Sequence, residues 1–120
     1  MNTIKTFEDA CKTLGINPDS VPDLSALPES DNKAMTAFYK LRIIAQALNE
    51  GWQPNWSNNR EYKWQPWFDE KKAGSGLSFH GADYWDTLTI VGSRLCFKSR
   101  ELCEYATSQF ADLYSDYMNL

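Results

Sequence analysis

Between about Ser30 and Glu50 the chain leaves only a narrow wet strip, Lys33, Thr36, Lys40 and Glu50, on an otherwise apolar helical repeat. Ala34, Met35, Ala37, Phe38, Leu41, Ile44, Ala45 and Leu48 make one broad face, and Ile43 and Ala47 carry it further around the cylinder. A helix this apolar must be covered on several sides, so it predicts either a central element or one with a face kept for a partner. Gly51 is placed to stop it.

The neighbouring segments predict what covers it. Thr6 can cap a short helix, with Asp9 three residues on to reach back, and Phe7, Ala10, Cys11 and Leu14 follow at helical spacing until Gly15. From Ile16 to Pro28, three prolines and repeated turn formers predict an ordered loop anchored by Val and Leu side chains. After Gly51 the pattern turns aromatic. Tyr62 to Phe68 reads as a strand, with Pro66 implying an edge or a bulge, Leu77 to Phe79 begins a second, and Ser93 to Lys98 a third. Lys71 to Gly76 reads as the turn between the first two and lacks the spacing of a phosphate loop. Ser99 can cap a last helix, about 99–117, in which Leu102, Cys103, Ala106, Phe110, Leu113 and Tyr117 recur on one stripe.

The expected fold is therefore α+β: a small antiparallel sheet of about three strands, in the segment 60–98, packed against two to three helices. With 120 residues the chain suits a single domain, 1–120. Its 42% hydrophobic content excludes a fully disordered chain, and no apolar run approaches the ~18 residues needed to span a bilayer. The opening residues Met1 to Lys5 lack a secretory signal, which points to a cytoplasm. Cys11, Cys96 and Cys103, an odd set without C-x-x-C spacing, read as reduced thiols serving as small apolar residues.

Functional expectation centres on tryptophan. Trp52, Trp56, Trp64 and Trp67 fall within sixteen residues on no regular period, interleaved with Pro54, Arg60, Tyr62, Lys63, Pro66 and Phe68. Such rings either fill a core or offer a stacking and docking surface. Trp56, in a polar loop between Asn55 and Ser57, is the one expected to be exposed. Net charge is −4, yet residues 60–100 carry seven Lys/Arg against five Asp/Glu, while 101–120 carry four acids and no base. An acidic chain is repelled by duplex DNA at long range, although a local basic and aromatic surface can still hold a nucleotide or a short single strand.

The runs Thr6 to Cys11, Ile43 to Trp52, Trp64 to Phe68 and Val91 to Ser99 resemble a family of small proteins from gut Bacteroides-type bacteria and their phages. The resemblance spans nearly the whole chain. It implies a phage or prophage setting, and so the cytoplasm of a bacterial host or a place in the virion. It carries no activity and no functional residues.

A catalytic reading has little to stand on. His80, the only histidine, has Asp83 and Asp86 near it in sequence, but matches no ligand motif or triad, and no metal or cofactor is implied. Two binding readings remain. In the first, the chain is a non-enzymatic accessory protein contacting a host or virion protein through Trp52, Trp56, Trp64, Trp67, Tyr84 and Trp85. In the second, Arg60, Lys63, Arg94, Lys98 and Arg100 surround those rings and hold a nucleotide or single-stranded nucleic acid. A homo-oligomer is open under either reading.

Overall fold

The computed structural model describes residues 3–58, 60–70, 77–85 and 95–118. Among the described residues four helices dominate: α1 (Phe7–Leu14), α2 (Glu29–Leu48), α3 (Arg100–Gln109) and α4 (Ala111–Met118). The expected α+β arrangement with a three-stranded sheet is not found among the described residues, in which helices are the main elements. Among the described residues, extended structure amounts to one antiparallel hairpin, β1 (Lys63–Glu70) with β2 (Leu77–Trp85), and one isolated bridge between Trp64 and Phe97.

The third strand fails for a local reason. Trp64 and Phe97 exchange both backbone hydrogen bonds, at 3.0 and 2.8 Å, so the next such pair along this edge would be Pro66 with Leu95. Pro66 has no N–H to give. In the other direction Tyr62 would meet Ser99, but the Ser99 carbonyl already accepts from Cys103 N as the first bond of α3. Among the described residues pairing stops after one bridge. The hairpin is itself irregular, with a bulge between Trp67 and Phe68.

The helix ends follow their residues. Thr6 Oγ1 accepts from Asp9 N at 3.1 Å, while Asp9 Oδ2 accepts from Thr6 N and Lys5 N at 3.2 and 3.0 Å, closing a capping box at α1. Those backbone donors, Lys5 N–H foremost, hold the Asp9 carboxyl below its usual range. Gly15, at φ 71°, ends the helix. Ser99 Oγ accepts from Leu102 N at 3.2 Å to cap α3. The expected helix over 99–117 is broken at Phe110 (φ −116°, ψ 32°), whose carbonyl accepts from both Leu113 N and Tyr114 N.

Helix α2 is the hub, packed by α1 and α4, while α3 lies against the hairpin. Its Leu41, Ile44 and Leu48 are buried with Phe7, Ala10 and Cys11 of α1, and with Cys103, Ala106, Phe110 and Tyr114 from the C-terminal part. The side chains of α3 also fasten the start of the chain. Tyr105 Oη donates to the Ile4 carbonyl, and Gln109 Nε2 donates to the Lys5 carbonyl at 2.9 Å. All three cysteines are free and buried. Among the described residues, no helix is long and apolar enough to cross a membrane.

Candidate functional site

The segment between α2 and β1 folds around one cation. Lys63, the first residue of β1, has a fully buried side chain, and its Nζ donates to the Asn58 carbonyl at 2.9 Å and the Glu61 carbonyl at 3.2 Å. Glu61 Oε1 lies 3.4 Å from the same nitrogen and also accepts from Asn55 N at 2.7 Å. The indole of Trp56 covers the ammonium, with Nζ 5.2 Å from the ring centroid. Asn55 and Asn58 complete the loop by accepting from Ser57 N and Arg60 N, each at 3.0 Å. This ammonium is an internal organiser of the loop, and anions in solvent do not reach it.

Trp64, the next residue, faces differently. The Arg100 guanidinium, at the start of α3, lies 4.9 Å from the centroid of its indole, and Tyr62 meets the same ring edge-on at 5.9 Å. Trp64 is half-buried, whereas Tyr62 and Arg100 are exposed. The three form a continuous patch on the surface above the Trp64–Phe97 bridge. Lys98 is close in sequence, and its Nζ pairs with Glu50 Oε2 at 3.7 Å.

The predicted site residues thus divide. Trp52 and Trp56 are half-buried, so Trp56 is less exposed than its polar neighbours imply, and Arg60 is exposed. Trp67, Tyr84 and Trp85 are placed by the hairpin register opposite Gly81, Trp64 and Lys63 respectively. Arg94 and the turn Lys71–Gly76 lie outside the described residues. Lys63, expected on a basic surface, is instead inside the protein. Glu61 and Asn58, which hold it there, are not visible as a set in sequence, because two carbonyls and one carboxylate carry no motif.

The cysteines are far from a reactive state. Burial pushes the thiol of Cys96 up to about 11 and that of Cys103 up to about 12, from an ordinary 9.0. Among the described residues, no three His, Cys, Asp or Glu are grouped to hold a metal ion. A separate open groove of about 530 Å³ lies between α2, α4 and the turn before α2, lined by Leu27, Asn32, Lys33, Lys40 and Asp116 among others. Within it Lys33 Nζ pairs with Asp116 Oδ1 at 3.4 Å, and Asn32 Nδ2 donates to the Leu24 carbonyl.

No protein family, curated protein or solved structure matches this chain.

Proposed function

We propose that this protein is a small non-enzymatic binding protein that acts by protein–protein contact through the patch of Tyr62, Trp64 and Arg100. In the phage or prophage setting implied by the sequence resemblance, its role is that of a virion accessory component or an inhibitor of a host factor. One observation carries the reading: cations of the chain itself cover the indoles of Trp56 and Trp64. A nucleobase needs an open ring face to stack on, and a phosphate needs unspent cations. Lys63 is buried and Lys98 is paired with Glu50, which leaves Arg100 as the one cation of the patch without a carboxylate partner among the described residues and weighs against the nucleotide reading. Tyr, Trp and Arg are also the residue types that dominate the energetics of protein contacts.

The test is an affinity pull-down of tagged protein from a lysate of the bacterial host, with and without phage infection and with and without nuclease. Wild type is compared with the Tyr62→Ala/Arg100→Ala variant. A partner retained after nuclease and lost with the variant is the expected result. Material that disappears on nuclease treatment would overturn it in favour of nucleic acid.

A further inference from the structure

Arg100 occupies a position that stability alone does not favour. It is the first residue of α3, where the helix dipole is positive and a cation is repelled. Its guanidinium, unlike the side chains of Lys33, Lys63 and Lys98, makes no ion pair with a carboxylate among the described residues. It is exposed, yet it is not free to wander, because it rests over Trp64. A guanidinium held in this way on an indole has lost part of its conformational freedom in advance, while the N–H groups at its edge face solvent and no described protein group accepts from them.

We infer that Arg100 receives a carboxylate, an Asp or Glu side chain of the protein partner, with Tyr62 and Trp64 taking the apolar residue beside it. The inference rests on the reading of this patch as a protein-contact surface. Complementarity of charge selects a single carboxylate over a polyanion. Glu101 and Glu104 follow Arg100 along α3, both exposed, and Glu50 stands beside Lys98 with its side chain 78% exposed. A phosphate backbone approaching Arg100 would bring several charges against these acids, whereas one side-chain carboxylate brings a single charge and offsets that repulsion by its two-oxygen fit to the guanidinium. The planar fork of arginine fits two carboxylate oxygens at once, a fit that lysine does not reproduce.

A random peptide library displayed on a carrier and selected on the intact protein tests this. Selections on Arg100→Gln, Arg100→Lys and Tyr62→Ala run in parallel, each variant first shown by circular dichroism to be folded. Wild type should enrich peptides with an Asp or Glu next to an apolar residue. Changing that acid to Asn or Gln, or Arg100 to Gln or Lys, should weaken binding by about tenfold or more. Peptides that depend on Tyr62 but carry no acid would overturn the carboxylate inference and leave the contact surface standing. Finding no peptide that depends on either residue would overturn both. Binding of a short oligothymidine that is lost in Arg100→Gln would overturn both in favour of single-stranded nucleic acid.

Discussion

Asn49 holds Cys96 across a separation of 47 residues: its Nδ2 donates to the Cys96 carbonyl at 3.0 Å, and the same amide accepts from Lys98 N through Oδ1, also at 3.0 Å. The side chain thereby stands in for a neighbouring strand. Phe97 turns its own backbone groups the other way, to Trp64, so the three residues 96–98 are gripped on both sides without belonging to a sheet. Asn49 is 5% exposed and ends α2, so it ties the central helix to the segment that launches α3.

Replacing Asn49 by Ala leaves a buried carbonyl and an amide without partners. The expected loss is about 2–4 kcal/mol. Urea unfolding followed by far-ultraviolet circular dichroism measures it, and a loss under about 0.5 kcal/mol would mean that water replaces both bonds at no cost.

For Lys63→Met the side chain keeps much of its volume but loses its hydrogen bonds to the Asn58 and Glu61 carbonyls. The stability loss should be about 1–3 kcal/mol. It should be concentrated in the loop, where the amides of Asn55, Ser57 and Arg60 exchange faster while those of α2 keep their protection. Uniform acceleration across the molecule would contradict a local role.

At Arg100 two small effects oppose each other. Removing the cation loses a contact with Trp64 worth about 0.5–1 kcal/mol at an exposed site, and relieves its repulsion at the start of α3, worth about 0.3–1 kcal/mol. Arg100→Gln should therefore change stability by under about 1 kcal/mol while shifting Trp64 fluorescence. A loss above about 2 kcal/mol would make Arg100 a structural residue and remove the case for a reserved binding group.

The buried thiols set a limit at high pH. Cys96 and Cys103 hold their protons in the folded chain up to about 11 and about 12, whereas the unfolded thiols ionise near 9.0. Between those values the unfolded state binds fewer protons, so stability is intact below pH 9 and falls as pH rises above it. Burial also raises the Tyr114 hydroxyl, which acts in the same direction. Chemical denaturation at pH 8, 9.5 and 10.5 should give a steadily falling midpoint. At pH 8 a thiol reagent should label these cysteines only in denaturant.

Much of the helical frame was legible because its signals are local. Thr6, Asp9 and Gly15 bracket α1, Ser99 caps α3, and Gly51 (φ 86°) lies just beyond α2, although that helix ends at Leu48 because Glu50 (φ 52°) has already left the helical region. The break at Phe110 was not legible, since Gln109-Phe110-Ala111 contains no Gly or Pro and the apolar stripe runs through it. Nor was the missing strand. Leu95 and Phe97 alternate as a strand should, and only the register to Trp64 puts Pro66 where a donor is required. The patch was half visible: its aromatic and basic residues stand out in sequence. Which cation goes inside and which stays at the surface depends on a loop closing over Lys63, and no spacing encodes that.

The bonds from Tyr105 and Gln109 to the carbonyls of Ile4 and Lys5 bear on how the molecule is born. A ribosome delivers α1 first, with its cap and its stop already written into it, yet the residues that anchor its leading end emerge a hundred positions later. Until then Phe7 and Cys11 can meet α2 but not the rest of their core. The leading end of α1 thus stays unfastened until α3 emerges, and the core is filled only when Phe110 and Tyr114 follow it.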